Sequence, residues 1–319
     1  MSGFVVDKRK IAIIGAGYVG ASIAYALTLK DIAGEIVLID INAEKTLGEA
    51  MDICHGIPSV GTVNMYAGDY CDIKDCNLII ITAGRGRRPG ETRLDLAYEN
   101  TKILFEVIQK IKLYYTQGVI MIVSNPVDVL THKVAEWMSL PDGMVFGTGC
   151  ILDTSRFVRN IADYVNISTG VVNAYVVGEH GDSQVPLWKE VSIGAIPIKE
   201  YCHALNIPWN DVIRQSIVNK TKNMGAEIIA RKGKTHYGIA TCVCFLADAI
   251  INHRPTIAPV CSPLQGEYGL TDVTLSVPSV ISSAGVQQRI QEKWDKRELQ
   301  QFTQAAEKIK SKIQLLSDI

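Results

Sequence analysis

The fold is set by residues 10–20, which read Lys-Ile-Ala-Ile-Ile-Gly-Ala-Gly-Tyr-Val-Gly. The apolar run Lys10–Ile14 predicts a strand that is buried on both faces. A G-x-G-x-x-G pattern formed by Gly15, Gly17 and Gly20 follows the strand directly and opens a predicted helix. Glycines in these places let bare backbone and a helix N-terminus approach a pyrophosphate. Alone, such a pattern is a weak indication, because tight turns between strands and helices also use glycine.

An acidic residue at the end of the next strand makes the pattern more specific. The second predicted strand, Ile36–Asp40, ends in a carboxylate shortly after the helix that Gly20 opens. A carboxylate there can accept hydrogen bonds from both ribose hydroxyls of a dinucleotide, and it would repel a 2′-phosphate. The sequence therefore predicts a dinucleotide site that favours NAD over NADP. The alternative is a packing turn with an incidental carboxylate.

Strands and helices alternate strictly along the first half of the chain. The predicted buried strands are Lys10–Ile14, Ile36–Asp40, Leu78–Thr82 and Gly118–Ser124, and the predicted helices between them are Val19–Thr28, Glu44–His55 and Leu94–Lys112. Such alternation implies right-handed crossovers between parallel strands. We expect an α/β fold with a doubly wound parallel Rossmann sheet.

The alternation stops near residue 149, where a second domain is expected to begin. The predicted elements are a helix over Asp153–Tyr164, strands over Val171–Val177, Val191–Ile198 and Val273–Val280, a helical region from Trp209 to Asn252 with breaks at Gly225, Gly233 and Gly238, and an amphipathic tail helix with Phe302, Ala306, Ile309, Ile313 and Leu316 on its apolar face. This mixture predicts an α+β domain. We place an NAD-binding Rossmann domain at residues 1–148 and a catalytic domain that binds the substrate at residues 149–319.

The composition argues against several classes of protein. The 319 residues carry 32 Lys+Arg and 33 Asp+Glu, and a formal net charge of −1 provides no field to attract nucleic acid or an anionic membrane. The apolar runs have strand length, and the N-terminal segment lacks the apolar stretch of a secretory signal. The eight cysteines match no zinc-binding spacing, so we expect reduced, mostly buried thiols and no metal site. A soluble cytoplasmic protein is expected.

Further motifs occur in order along the chain. They are Gly90-Glu91-Thr92-Arg93-Leu94-Asp95-Leu96, Ser124-Asn125-Pro126-Val127-Asp128, Leu152-Asp153-Thr154-Ser155-Arg156-Phe157 and Gly178-Glu179-His180-Gly181-Asp182. Together they resemble the L-lactate and L-malate dehydrogenase family over essentially the whole chain. The resemblance implies NAD as the cofactor, a small 2-keto or 2-hydroxy acid as the substrate, and a homo-oligomer, usually a tetramer.

The resemblance also implies a role for the polar residues in these motifs. His180 would protonate the keto oxygen and take the proton back in reverse, because a group that titrates near neutrality suits both directions. Asp153 would orient and stabilise the charged imidazole. Arg156 would clamp the substrate carboxylate, and Arg93 would polarise the carbonyl once its loop closes. Asn125 would hydrogen-bond the substrate oxygen or the histidine.

Each of these residues has a structural alternative when it is considered alone. A histidine in a glycine-rich turn is often structural, Arg93 could be a surface charge at the start of a helix, and Arg156 could pair only with Asp153.

For the cofactor site, the resemblance implies contacts at Gly15, Gly17, Val19, Gly20, Asp40, Lys45, Tyr70, Gly84, Arg85, Val123 and Asn125.

Three positions give conflicting indications about the substrate. Glu179 stands where malate enzymes of this family usually carry glycine, and Thr235 is expected beside the C3 substituent of the substrate, where malate enzymes often have a smaller residue. Arg87 stands where most lactate dehydrogenases have glutamine and malate dehydrogenases have arginine. An arginine there would pair with the second carboxylate of oxaloacetate. Closed over the methyl group of pyruvate, it would remain unpaired, at a cost on the order of several kcal/mol.

Two arrangements would reconcile Arg87 with pyruvate. Glu91 could pair with Arg87 and cancel its charge, or the loop could turn Arg87 outward and leave Arg88 and Arg85 as a solvated basic rim. The larger number of lactate-type features favours reversible hydride transfer between pyruvate with NADH and L-lactate with NAD, the reaction used in glycolysis and fermentation. L-malate dehydrogenase activity is the alternative.

Two other classes of function remain open at this stage. A non-catalytic NAD-binding scaffold would be expected to lack His180 or Arg156 while keeping the glycines, and both residues are present. An NAD-dependent glycosidase with the same core would be expected to hold a metal ion through Cys and His ligands.

Overall fold

The chain alternates strands and helices as far as residue 147 and then becomes more irregular. The computed structural model describes residues 9–86, 90–316 and 318–319. The strands are β1 Lys10–Ile14, β2 Glu35–Ile39, β3 Asn64–Ala67, β4 Leu78–Ile81, β5 Val119–Ile122, β6 Val145–Gly147, β7 Val172–Asn173, β8 Val176–Gly178, β9 Gln184–Pro186, β10 Ser192–Ile193, β11 Ile196–Pro197, β12 Thr256–Gln265, β13 Thr271–Ser282 and β14 Gly285–Arg289. The helices are α1 Tyr18–Leu29, α2 Ala43–Gly56, α3 Arg93–Tyr114, α4 Val127–Met138, α5 Ile151–Val165, α6 Ile198–Ala204, α7 Asp211–Lys232, α8 Tyr237–Ile251 and α9 Lys296–Gln314.

The first half forms a parallel sheet with the strand order β3-β2-β1-β4-β5-β6. Alternate residues of β1 point into two separate cores: Ile11 and Ile13 pack with side chains of α1 and α8, and Ala12 and Ile14 pack with those of α3 and α4. Helices therefore cover both faces, which explains why the strands are apolar throughout. The predicted α/β fold with a doubly wound Rossmann sheet is confirmed.

The second half extends this sheet with antiparallel strands. β12 pairs with β6 through Cys261 and Gly147, and the order continues β12-β13-β8-β9, with β14 also paired to β13. A small separate sheet has the order β11-β10-β7. The predicted mixed α+β character of this half is confirmed.

Two predicted strands are wrong as continuous elements. Val171–Val177 divides into β7 and β8, which belong to different sheets. Val191–Ile198 divides into β10 and β11, which turn back on each other at Gly194 with a φ of +59°. Alternating apolar residues predict extended backbone, but they do not reveal a reversal of direction between such short segments.

The predicted helical region from Trp209 to Asn252 breaks at one of its three glycines. Gly233 has a φ of +80° and ends α7, because few other residues adopt that conformation without strain. Gly225 lies within α7, and Gly238 lies in the first turn of α8. Sequence analysis also did not predict α4, β3, β6, β12 or β14.

The predicted tail helix is α9, whose N-terminus is held by a capping box between Asp295 and Glu298. Its apolar face buries Phe302, Ala306 and Ile309 against β8, β9 and β13. Among the residues described, no helix combines the length and the apolar character that a membrane crossing requires.

Candidate active site

The turn between β1 and α1 uses its three glycines in two different ways. The N–H of Gly15 donates to the carbonyl of Ile39 over 2.7 Å, and its φ of +111° favours glycine. A Cβ on Gly20 would lie 1.8 Å from the carbonyl oxygen of Gly15, so α1 can approach the turn only if this residue is glycine. A Cβ on Gly17, at the N-cap of α1, would meet nothing within 4 Å. Gly15 and Gly20 therefore serve packing, whereas Gly17 leaves open space at a helix N-terminus.

Asp40 lies against this turn, directly after β2. Its Oδ2 accepts the N–H of Ala16 over 2.6 Å, and its Oδ1 accepts the N–H of Asn42 over 3.1 Å. The Nζ of Lys45 donates to the Ala16 carbonyl over 3.0 Å. A carboxylate, a helix N-terminus with free N–H groups and the space at Gly17 thus occur together, and this combination fits a dinucleotide.

The other residues expected at the cofactor lie mostly at the same edge of the sheet. Gly84 and Arg85 follow β4, and Val123 and Asn125 follow β5. Tyr70 follows β3 and is half-buried; burial, with a contribution from the nearby Asp40, raises the pKa of its phenol to about 12. The carboxyl ends of parallel strands meet at one edge, which is where doubly wound sheets bind their ligands.

His180 and Asp153 form a pair close to where the second half of the chain joins the sheet, with the aspartate buried and the histidine partly exposed. His180 follows β8, and its Nδ1 donates to Oδ2 of Asp153 over 2.5 Å. The Asp153 carboxylate, which is 2% exposed, raises the pKa of His180 to about 9. Burial alone would raise the pKa of Asp153, but His180 and Arg156 hold it below its usual value. The imidazole is therefore held in its protonated form at neutral pH.

Arg156 lies on the same face of α5 as Asp153, one turn further on. Its Nη1 is 3.4 Å from Oδ1 of Asp153, and its side chain is 12% exposed. The guanidinium lies against helix α7 at Gly225, where a Cβ would be 3.5 Å from Nη2, an ordinary van der Waals distance. This glycine, predicted as a helix break, therefore lies inside α7 beside the arginine.

Sequence reasoning gave no role to Asp128, which supports His180 from the opposite side. Its Oδ2 accepts the main-chain N–H of His180 over 2.9 Å, and Oδ1 is one of the buried side-chain atoms without a hydrogen-bond partner among the residues described. Burial raises the pKa of Asp128 to about 7, although His180 favours its charged form. The motif that contains Asp128 was recognised in the sequence. The signal that could have identified this residue as functional is a carboxylate among the apolar side chains of α4.

Asn125 makes hydrogen bonds through its side chain and through its main chain. Its side-chain oxygen accepts the main-chain N–H of Val127 over 3.3 Å. Asn100 of α3, which sequence analysis did not identify, donates through Nδ2 to the Asn125 carbonyl over 2.7 Å and accepts the N–H of Arg85 over 2.9 Å. Thr235 lies half-buried in the connection between α7 and α8.

The loop that leads to α3 corrects one expectation. Arg85 does not belong to a solvated basic rim, because its guanidinium forms a two-pronged ion pair with Glu91, with Nη1 2.7 Å from Oε2 and Nη2 in contact with Oε1. Glu91 thus already has a cationic partner. Arg87 and Arg88 lie outside the described residues, as does the side chain of Arg93, the first residue of α3.

The amino-acid sequence matches two family models that together span nearly all of it. Residues 9–147 match the NAD-binding domain of lactate/malate dehydrogenases, and residues 150–318 match the alpha/beta C-terminal domain of the same family. The L-lactate dehydrogenase of Thermoanaerobacter sp. (strain X514) is 42% identical over 97% of this chain and 99% of its own length. That of Acetivibrio thermocellus is 38% identical over 97% of each chain.

Solved structures are similar over the same length. The minor L-lactate dehydrogenase from Enterococcus mundtii in its ligand-bound form superimposes with a TM-score of 0.93 at 37% identity, covering 97% of this chain and 98% of that one. The L-lactate dehydrogenase from Clostridium thermocellum has a TM-score of 0.86 at 41% identity, covering 97% and 99%.

Proposed function

The chain belongs to the lactate/malate dehydrogenase family, and on this premise we propose that it is an L-lactate dehydrogenase that interconverts pyruvate and L-lactate with NADH and NAD. The observation that carries the proposal is the partly exposed His180 paired with the buried Asp153, with Arg156 beside them. An acid/base group and a clamp for a carboxylate are the two functions that reduction of a 2-keto acid requires of the protein.

NAD(H) is the cofactor of this family, and the residues at the sheet edge fit it. When bound, the nicotinamide supplies or accepts the hydride. The open space at Gly17 and the N-terminus of α1 suit the pyrophosphate, and Asp40 suits the ribose hydroxyls of NAD while disfavouring the 2′-phosphate of NADP. Val19, Lys45, Tyr70, Gly84, Arg85, Val123 and Asn125 are proposed to complete the cofactor site.

The side chains around His180 divide the remaining chemistry among themselves. Asp153 occupies Nδ1, so Nε2 is the ring nitrogen that can hold the proton destined for the keto oxygen. Arg156 binds the carboxylate of the substrate through two N–H groups, a geometry that lysine cannot reproduce. Arg93 polarises the carbonyl once its loop excludes water, and Asn125 donates to the substrate oxygen through its amide nitrogen.

Two observations support pyruvate over oxaloacetate as the keto acid. The relatives described above are named L-lactate dehydrogenases. Glu179, the residue that malate enzymes of the family usually replace with glycine, is a buried part of the turn that carries His180. Thr235 is proposed to contact the C3 substituent. L-malate dehydrogenase remains the second candidate because of Arg87.

Substrate preference is tested by measuring kcat/KM for pyruvate and for oxaloacetate with NADH at one pH. We expect pyruvate to be preferred. Arg87→Gln should leave the pyruvate value unchanged or higher and lower the oxaloacetate value by roughly 10- to 100-fold, since one lost arginine–carboxylate contact is worth about 1.4 to 2.8 kcal/mol. Arg88→Gln is the matched control, which removes the same charge from the neighbouring position. A wild-type preference for oxaloacetate by orders of magnitude would identify an L-malate dehydrogenase.

We also propose that the enzyme acts in the cytoplasm as a homo-oligomer, with a tetramer favoured, and that the cofactor-binding and catalytic domains divide between residues 148 and 149. The two family models, which end at 147 and begin at 150, support this boundary. Sedimentation equilibrium measures the number of subunits directly, and a monomer at micromolar concentration would contradict the assembly.

A further inference from the structure

The turn that carries His180 is attached to a helix that takes no part in the chemistry described above. Glu179, which precedes His180, is 7% exposed. One of its carboxylate oxygens, Oε2, accepts a hydrogen bond from the hydroxyl of Ser183 in the same turn. The other, Oε1, is 2.5 Å from the Nζ of Lys312, near the end of α9. Both oxygens are therefore occupied, one from within the turn and one from 133 residues further along the chain.

Helix α9 is firmly held and can serve as a support. Phe302 and Ile309 are buried along its inner face. Near its N-terminus, Oε1 of Glu298 accepts the N–H of Trp188 over 2.9 Å. The helix therefore contacts the segment that follows β8 in two places, at Trp188 and at Glu179. Because the apolar contacts fix the helix, the end of the Lys312 side chain provides a fixed cation for Glu179.

The charge of Lys312 is what makes the buried Glu179 tolerable. A carboxylate at this depth without a cationic partner is strongly disfavoured. Without that partner Glu179 would move toward solvent, and the movement would carry the adjacent His180 with it. The turn has a further attachment at the main-chain N–H of His180, which Asp128 accepts. Lys312 thus restrains Glu179, the residue between that attachment and the end of β8.

We propose that Lys312 is a positioning residue of the dehydrogenase: through Glu179 it holds the turn that carries His180 in register with Asp153. The inference rests on the proposed function for its catalytic consequence, but the attachment of the turn does not depend on that function. The ion pair also cancels the negative charge that Glu179 places beside a site for anionic substrates.

The position of Lys312 predicts which kinetic constant its substitution changes more, kcat or KM. His180 lies on the turn, whereas Arg156, which binds the carboxylate, lies on α5. Lys312→Met should therefore lower kcat for pyruvate reduction about tenfold or more, with a smaller change in KM, since misplacing a catalytic group by roughly 1 Å can cost up to about 10²-fold. Lys312→Arg retains a cation for Glu179 and should restore kcat to within about twofold of wild type. Lys308→Met, at an exposed position one turn earlier on α9, is the matched control and should leave kcat unchanged.

The same variants are compared by hydrogen exchange of the protein without cofactor, which requires no activity. Lys312→Met should increase amide exchange in residues 178–184, while Lys312→Arg and Lys308→Met should not. If Lys312→Met keeps wild-type exchange or wild-type kcat, the positioning role is overturned. If the wild-type enzyme reduces neither pyruvate nor oxaloacetate, the proposed function fails, and the exchange data still decide whether Lys312 holds the turn.

A double substitution separates action through Glu179 from any other effect of Lys312. If Lys312 acts only on Glu179, Glu179→Gln/Lys312→Met should lose no more kcat than Glu179→Gln alone. The kcat of the double variant should even exceed that of Lys312→Met, because no unpaired buried charge is left behind. Multiplicative losses in the double variant would overturn the proposal, since they would mean that Lys312 acts elsewhere.

Discussion

At the scale of single residues, the ionisation of His180 results from opposing neighbours. The carboxylate of Asp153 favours the charged imidazole most strongly, burial opposes it, Asp128 adds to the first effect and Arg156 to the second. The effect of the carboxylates is the larger one, and the pKa of His180 rises to about 9. The protein thus keeps an imidazolium ready beside an arginine, a combination suited to an anionic substrate that must receive a proton.

The activity should therefore depend on pH in opposite ways for the two directions. Reduction needs charged His180, so its kcat/KM should be level through neutral pH and fall as pH rises past about 9. Oxidation of the hydroxy acid needs neutral His180, so its kcat/KM should rise until that pH. Asp153→Asn should move both transitions to lower pH, because the carboxylate is the main cause of the raised pKa.

Stopped-flow or steady-state rates in both directions over pH 6–10 test this dependence. His180→Ala is the control. Its rate should be roughly 10²- to 10⁴-fold lower, and the pH transition should be absent. Retention of activity by His180→Ala would rule out the acid/base mechanism, and absence of activity in the wild-type protein would favour a non-catalytic NAD-binding scaffold.

At the scale of the elements, the turn between β1 and α1 combines close packing with an open space at a helix N-terminus. Gly20 lies against the backbone of Gly15, whereas Gly17 faces open space. The same motif therefore contains glycines that are needed for the fold and one that leaves the space proposed for the ligand. The distinction follows from distance to the neighbouring backbone and is invisible in the spacing alone.

Alanine substitutions at Gly20 and Gly17 should have different consequences. Gly20→Ala places a Cβ against a carbonyl oxygen and should lower the free energy of unfolding by about 1–3 kcal/mol or more, because backbone cannot yield as a side chain does. Gly17 has a φ of −74°, so alanine fits there and Tm should hardly change. Gly17→Ala should instead weaken NADH binding, because its methyl group occupies the space proposed for the pyrophosphate.

Thermal unfolding without cofactor and fluorescence titration with NADH distinguish the two effects. Each variant is the other's control, since both add one methyl group to the same turn. Equal losses of Tm in the two variants would contradict the division into packing and ligand-binding glycines.

At the scale of the whole molecule, the titrating groups His180 and Asp128 link stability to pH. The pKa of His180 is raised to about 9 and that of Asp128 to about 7. A group whose pKa is higher in the folded than in the unfolded protein stabilises the fold below its unfolded pKa, and this stabilisation is lost as pH rises through the folded value. The titration of His180 and that of Asp128 therefore both lower the free energy of unfolding as pH rises.

We expect the free energy of unfolding to fall as pH rises from about 6.5 to 9, the interval between the ordinary and the raised pKa of His180. Urea unfolding at pH 6.5, 7.5 and 9 measures the slope. His180→Gln should flatten it in this interval, because the titrating group is removed. A stability that rises with pH in the wild-type protein would contradict the raised pKa.

Much of the architecture follows from local pattern. The apolar run of β1, the glycines after it and the carboxylate after β2 identified the Rossmann sheet and its ligand-binding edge, because strand period and turn chemistry are properties of neighbouring residues. The motifs around Asp153 and His180 identified the candidate catalytic pair. Short strands such as β7 and β10 were not predicted correctly, since two or three residues carry too little periodicity.

Only the tertiary structure decided how the site is supported. Asp128 meets His180 across 52 residues, and Lys312 meets Glu179 across 133. Glu91 pairs with Arg85, a contact that the sequence did not indicate. Ion pairs and buried hydrogen bonds depend on where remote elements come together, and residue type and spacing do not contain that information. The sequence by itself therefore determined which chemistry the chain can perform, and the folded chain determined which side chains hold that chemistry in place.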